Sequence, residues 1–458
     1  MSDGGVVDVR GLAEAALAAA GEETAEALVR SERSGFARFA ASEIHQPTLV
    51  SDTTIQLRVL RGQRAGTAAT NRLDEAGIAD LVRRAREAAE SSTPDDQLPP
   101  LAPPAAAPAI EGWDQATARL DGEGQARLAL AAIDASPLPL YGFVTSGATE
   151  LAVASTTGLR AHQRTTDATV RVIAADTGAS GYAERTSWST AGIDPAAAAR
   201  EAAARAERTR SAGTLERGTY RAVLEPYALG ELLQWLASDS FAALGLLDGA
   251  SFLAGRLGER LLDPAVTILD DALDPAGLPK AVDFEGVPKQ RVPLIEAGVA
   301  RGVVWDRSTA ARAGEGHAST GHAMPAAQRA WGPFVSALAM AGGEAPSLEA
   351  LAEEVGDGIH VTRFHYLSVV SPRDGIITGT TRDGTFRIRG GRVAEPLVNL
   401  RFTVSVPELL SEVLGLTRDR LLTSQSDFYD ERFAFGALVP GLATARFAVT
   451  GTGSGPGL

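Results

Sequence analysis

The sequence predicts a two-domain protein that mixes helices and strands and divides near residues 213–219. Three observations predict it. At 458 residues the chain exceeds one small core, and at roughly 150 residues per domain it suggests two or three. Segments of helical and strand period alternate through the first half. After SAGTLERGT (211–219) glycine-punctuated β segments dominate, with a few helices between them.

The elements follow in order. Residues 10–30, built largely of Ala, Leu and Glu, predict a helix. The next stretch alternates, with Ile55, Leu57 and Val59 on one side and Thr54, Gln56 and Arg58 on the other, as in a half-buried strand. Residues 71–90 predict a second helix, with Leu73, Ile78, Leu81, Val82 and Ala85 on one stripe. The proline-rich stretch 91–108 predicts a surface connection. A third helix is expected around 122–134. Across 140–190, alternating runs punctuated by STTG and DTGASG predict antiparallel hairpins. Asp194-Pro195 then opens an alanine-rich helix to about residue 210, because Asp caps well and Pro suits the first helical position. Further on, Gly390-Gly391 predicts a hairpin turn. The end, ATARFAVTGTGSGPGL, predicts a last strand and a frayed tail.

Composition narrows the function. Apolar residues make up 45% and charged residues 22%, as in a soluble globular protein. A net charge of −14 argues against binding duplex nucleic acid, which draws affinity from Lys and Arg on phosphates. The absence of cysteine excludes disulfides, thiolate nucleophiles and thiolate metal ligands. The acidic N-terminus does not resemble a signal peptide, and no apolar run reaches the ~20 residues that span a bilayer. A cytoplasmic location is the expectation, with no membrane partner. The high Ala, Gly and Arg content beside little Lys reads as a coding bias.

Candidate chemistry is sparse. His317 and His322, in GEGHASTGHAMP, and His360 and His365, in HVTRFH, form two pairs of equal spacing. Residues five apart on a helix point about 140° apart, so neither pair shares a helical face. A loop could bring histidines onto one metal, yet a catalytic zinc needs three ligands and an open position. Asp263, Asp270, Asp271, Asp274, Asp283 and Glu285 cluster in sequence, but Asp-Pro and Glu-Gly pairs point to turns rather than to paired catalytic carboxylates. Neither a phosphate loop nor a hydrolase elbow is present.

Several blocks in order resemble one family. RSGFARFAASEIHQP, ASTTGLRAHQRTT, DGASFLAGRLGERLLDPAVTILDD, DFEGVPKQRVPLIEAGV and STGHAMP are similar to blocks of the TldD/PmbA family, the "modulator of DNA gyrase" metalloproteases. The segment TRFHYLSVVSPRDGIITGTTRDGTFRIRGGRVAEPLVNLRFTVS resembles the TldE/PmbA branch. The resemblance covers roughly residues 30–450. It implies an α+β fold, with an N-terminal mixed α/β domain over 1–215 and a C-terminal β-rich, barrel-like domain over 216–458.

The same resemblance implies a pairing. TldD-type subunits carry HExxxH on a helix after the first C-terminal strand, where two histidines and a distant cysteine hold zinc and the Glu activates water. TldE-type subunits lack the motif and pair with TldD. Here Leu232-Leu233 matches the Leu-Leu ahead of the motif, which places its positions on Gln234, Trp235 and Asp239. No histidine lies between His162 and His317, so a slip in register restores nothing. A Trp235 buried in that helix would also fill volume.

The resemblance therefore implies a non-catalytic subunit of a heterodimeric zinc metallopeptidase that cleaves unfolded or short peptides. It would complete the substrate cleft and stabilise a TldD-like partner. No metal or catalytic residue is expected in this chain, and zinc is expected in the partner. His317, His322, His365 and Arg382 are candidates for the peptide cleft or the subunit interface. Two alternatives remain at this point: a stand-alone homodimeric peptide-binding protein, and a metalloprotease with a metal site relocated to His317, His322, His360 and His365.

Overall fold

The computed structural model describes residues 7–424, 426 and 432–453; residues 454–458 of the expected frayed tail lie outside them. The first half holds α1 (Val9–Ala20), β1 (Thr24–Ala40), β2 (Glu43–Arg61), β3 (Arg64–Thr70), α2 (Glu75–Ser91), α3 (Gln115–Ala118), α4 (Gly122–Asp134), β4 (Leu140–Ser155), β5 (Arg160–Asp176), β6 (Ala179–Ser187) and α5 (Pro195–Arg208). Its strands form one antiparallel sheet ordered β3-β2-β1-β4-β5-β6.

Aspartates set the helix starts. Asp8, Asp74, Asp121 and Asp194 each accept a backbone N–H from the first turn of α1, α2, α4 and α5. The apolar stripe of α2, with Ile78, Leu81, Val82 and Ala85, packs with α1 on Ala25, Ala27, Val29, Ile55, Leu57 and Val59. Helices α4 and α5 cover Val144, Ala168, Val170 and Val172. STTG and DTGASG turn the β4–β5 and β5–β6 hairpins, and no helix or strand interrupts residues 93–113.

One expectation fails here. Residues 10–30 are not a single helix, because α1 stops at Ala20, Gly21 takes φ 66°, and β1 begins at Thr24. Pairing with β2 on one side and β4 on the other overrides the helix propensity of AEALVR. Ala25, Ala27 and Val29 carry the period of two that marks a strand. The β1–β2 turn at Ala41-Ser42, with φ 48° and 64°, lacks the usual glycine.

The second half holds β7 (Gly218–Leu224), α6 (Pro226–Ser240), α7 (Ala243–Leu247), β8 (Ile268–Asp270), β9 (Val292–Glu296), β10 (Val299–Ala300), α8 (Arg307–Ala313), β11 (Ala337–Met340), α9 (Leu348–Val355), β12 (Gly358–Ser371), β13 (Ile376–Arg389), β14 (Arg392–Pro396), β15 (Leu400–Ser405), α10 (Val406–Ser411), β16 (Val413–Ser424) and β17 (Gly436–Thr452). Gly390 and Gly391 turn β13 into β14 with both φ positive. Strand β7 pairs parallel with β12 and antiparallel with β17, closing β17-β15-β13-β12-β7 into a ring. Phe364, Phe402 and Phe447 stack within it, and α6 packs into the same core. This ring is the barrel-like part of a β-rich half.

The two halves meet across the sheet face that α1 and α2 leave free. Leu28, Leu151, Val153, Leu159 and Ala161 pack there against Ala281 and Val282. Arg58 faces this contact and is 4% exposed, so the polar side of β2 looks at the second half rather than at water. Among the described residues no helix is long and apolar enough to cross a membrane.

Candidate functional site

Strand β7 runs through Glu225 into α6, with Pro226 in its first turn. Leu232 and Leu233 are fully buried. Gln234 follows on the buried side, its Nε2 donating to the Val335 carbonyl at 3.3 Å while Oε1 has no partner. Trp235 turns outward at 40% exposure, so it does not fill core volume, contrary to what a buried tryptophan there would do. Asp239 is half-buried, and burial raises its carboxyl. The three positions offer an amide, an indole and a carboxylate, and the chain has no cysteine. That donor set does not fit a zinc site. Among the described residues no three His, Cys, Asp or Glu side chains gather as metal ligands.

The histidines separate. His317 is exposed, its ring 4.7 Å from that of Trp305. His322 is buried, with Nε2 2.8 Å from Asp270 Oδ1 and Nδ1 2.9 Å from Thr320 Oγ1. His360 is buried against Glu225 at 2.8 Å. His365 lies on β12 beside Tyr366, and burial, then Arg382 and Arg363, lower it to about 4. Four histidines in four surroundings do not make the relocated metal site. His365 and Arg382 do come together, on paired β12 and β13. Asp383 lies between the neighbouring arginines, 2.7 Å from Arg363 Nε and 3.9 Å from Arg382 Nε.

A pocket with a cavity volume of about 50 Å³, open to solvent on one side, lies between the two halves. From the first half, β4 and β5 contribute Thr149, Leu151, Gln163, Thr165 and Asp167. From the second come Lys280, Asp283, Lys289, His322, Phe334 and Phe433. Gln163 Oε1 accepts the backbone N–H groups of Ala281 and Val282 at 2.7 and 3.1 Å, which fixes the wall carrying Lys280. Lys280 Nζ donates to the Leu278 carbonyl and lies 5.3 Å from the Phe433 ring; Lys289 Nζ donates to Ser336 Oγ at 3.2 Å. Burial, then the charge of Lys289, lowers Lys280 to about 7, and burial lowers Lys289 as well. Arg432 spans the halves, binding both carboxylate oxygens of Asp167 and donating to Thr145 at 2.9 Å.

The clustered carboxylates divide. Asp263, Asp271 and Asp274 accept backbone N–H groups two residues on, as turn chemistry predicts. Asp270, Asp283 and Glu285 are buried instead. Asp270 Oδ2 takes the Ala337 N–H, and Asp283 takes those of Glu285, Val287 and Ala323. Glu285 Oε1 meets Arg58 at 3.3 Å and Arg329 at 2.6 Å.

Sequence reasoning missed Lys280 and Lys289, although the signal was present. They are the only lysines among 43 basic residues, and both line this one pocket. A coding bias accounts for the arginines, but it does not account for where the two lysines remain.

Comparison with known proteins gives the following. Family profiles described as PmbA/TldA metallopeptidase domain 1, central domain and C-terminal domain match residues 25–89, 104–210 and 217–451. An uncharacterised protein of Methanocaldococcus jannaschii is 37% identical over 22% of this chain and 24% of its own length. A metalloprotease of Methanothermobacter thermautotrophicus is 28% identical over 44% of this chain and 43% of its own length, so the chain spans less than half of these curated relatives. Among solved structures, TldE from Thermococcus kodakarensis aligns with a TM-score of 0.83 at 19% identity, covering 96% of this chain and 99% of that one. A protein of Thermotoga maritima described as a candidate modulator of a DNA gyrase gives 0.83 at 18% identity, with the same coverage. At such identities the likeness is one of fold.

Proposed function

Because this chain belongs to the PmbA/TldA metallopeptidase family, we propose that it is a non-catalytic, TldE-like subunit of a heterodimeric zinc metallopeptidase. Its role is to complete a cleft for unfolded or short peptides and to stabilise a TldD-like partner that holds the zinc. The observation that carries this is α6. It follows β7 with Leu232-Leu233 buried, and Gln234, Trp235 and Asp239 stand where the resemblance puts HExxxH. Water activation on zinc needs imidazole ligands and a nearby base, and these residues supply neither. What remains for the chain is binding and positioning. An interdomain pocket with apolar walls and a few convergent polar groups is a common setting for ligand binding.

The test is to purify the chain alone and together with a TldD-like chain bearing HExxxH, and to assay cleavage of an unstructured peptide. Cleavage is expected from the pair only. Zinc-dependent cleavage by this chain alone would overturn the proposal.

A further inference from the structure

We propose that the pocket between the two halves is a carboxylate site, in which Lys280 and Lys289 hold the carboxyl-terminal end of a peptide with an apolar last residue. The choice of a peptide as the source of the carboxylate rests on the function proposed above; the site itself does not.

The first support is residue choice. Of the 43 Lys and Arg residues in the chain, all but these two are arginine. Guanidinium is planar and always charged, whereas an ammonium is compact and can give up its proton when buried. Two positions nine residues apart keep lysine, and both reach one pocket.

The second support is charge. Lys280 is 9% exposed and Lys289 6%. Neither has an ion-pair partner among the described residues; each Nζ has one neutral hydrogen-bond acceptor and spare donors. The nearby carboxylates are already engaged. Asp270 is held by His322 and the Ala337 N–H, Asp167 by Arg432, and Asp283 by three backbone N–H groups. Burial disfavours both charged amines, against the pull of Asp167, Asp270 and Asp283, and an entering anion adds to that pull. The lowering of Lys280 to about 7 agrees with that balance.

The third support selects the anion. Leu151, Val282, Phe284, Met324, Phe334 and Phe433 give the pocket apolar walls, which suits an apolar body with one charged end. The carboxylates of Asp167 and Asp270 near the lysines disfavour a phosphate dianion relative to a single carboxylate. Thr149 and Thr165, opposed across β4 and β5, add two hydroxyls to the same pocket.

The experiment uses the full chain without a partner. Calorimetry near neutral pH compares acetyl-Ala-Ala-Phe with a free carboxylate, its carboxamide, and 3-phenylpropanoate. The free acid is expected to bind about tenfold or more tightly than the amide. In Lys280→Met and Lys289→Met that preference should shrink to about threefold or less. Equal binding of acid and amide by the unaltered chain, or no binding of either acid, overturns the site without recourse to a variant. A preference retained by both folded methionine variants also overturns it. If 3-phenylpropanoate binds as tightly as the peptide acid, the carboxylate site stands and its assignment to peptide ends is overturned. None of these outcomes depends on cleavage or on a partner, so failure here is distinguishable from failure of the subunit assignment.

Discussion

Arg205 Nη2 lies 2.7 Å from Glu225 Oε2, joining the last helix of the first half to the residue that opens α6. The other oxygen of Glu225 meets His360 at 2.8 Å and Thr362 at 2.9 Å. Burial acts to raise this carboxyl, but the Arg205 charge and the His360 contact outweigh it and bring it down to about 2. A folded value below the unfolded 4.5 means a contribution fully present above pH 4.5 and lost as pH falls through about 2. Glu225→Ala leaves Arg205 with Glu201 as its remaining carboxylate and takes the acceptor from His360 and Thr362, and should cost about 2–3 kcal/mol in urea unfolding at neutral pH. Glu225→Gln should flatten the acid limb of the stability curve. A loss below about 1 kcal/mol for the alanine variant would show that the halves hold together without this pair.

Glu26, on β1, has the opposite sign. Burial, then repulsion from Glu285, raises it to about 7, against the pull of Arg58, Arg329 and Arg307. Its contribution is therefore full below the unfolded 4.5 and is lost as pH rises through about 7. The thermal midpoint of the unaltered chain should carry this loss between about pH 5 and 8, and Glu26→Gln should flatten it. An unchanged slope would mean that Glu26 is ionised throughout that range.

Gly286 is a point where the second half packs tightly on the first. Its φ is 75°, and a Cβ there would lie 2.8 Å from Leu159 Cδ2 and 3.1 Å from Val153 Cβ. Gly249, with φ 69° and nothing within 4 Å, is its control. Gly249→Ala bears only the backbone strain, about 1–2 kcal/mol. Gly286→Ala adds overpacking of a buried contact, about 1–3 kcal/mol more. Equal losses in chemical unfolding would show that the β4 contact yields freely.

Local chemistry was legible in the sequence, and long-range pairing was not. Asp194-Pro195, the α2 stripe and Gly390-Gly391 encode their elements within a few residues, and the structure follows them. Residues 24–30 carry helix formers yet lie between two strands that the local sequence cannot see. The same holds at the site. Asp271 and Asp274 cap their own turns, whereas Glu285 finds Arg58 from 227 residues away. His317 and His322 drew attention by their spacing, but one lies on the surface and the other is buried beside Asp270. The legible clue that went unused was the rarity of lysine, a signal of composition rather than of motif.

The last prediction concerns restoring the motif letters with Gln234→His, Trp235→Glu and Asp239→His together. We expect no zinc-dependent peptidase activity. Positions 234 and 239 point about 140° apart on a regular helix, so their side chains need a third ligand placed to suit both. The chain has no cysteine, and no histidine between His162 and His317. The partners that orient metal-bound imidazoles are typically worth 10–100-fold in affinity, and three substitutions do not install them. Nor should the variant fail merely by unfolding. Trp235 is 40% exposed, so its replacement opens no core cavity and should cost no more than about 0.5 kcal/mol. The buried change at Gln234 gives up one hydrogen bond to Val335, worth about 1 kcal/mol. A folded, inactive and substoichiometric-zinc protein is thus expected from thermal melting, metal analysis and peptide cleavage. Stoichiometric zinc with turnover would show that α6 retains a silenced active site, and the non-catalytic assignment would fall with it.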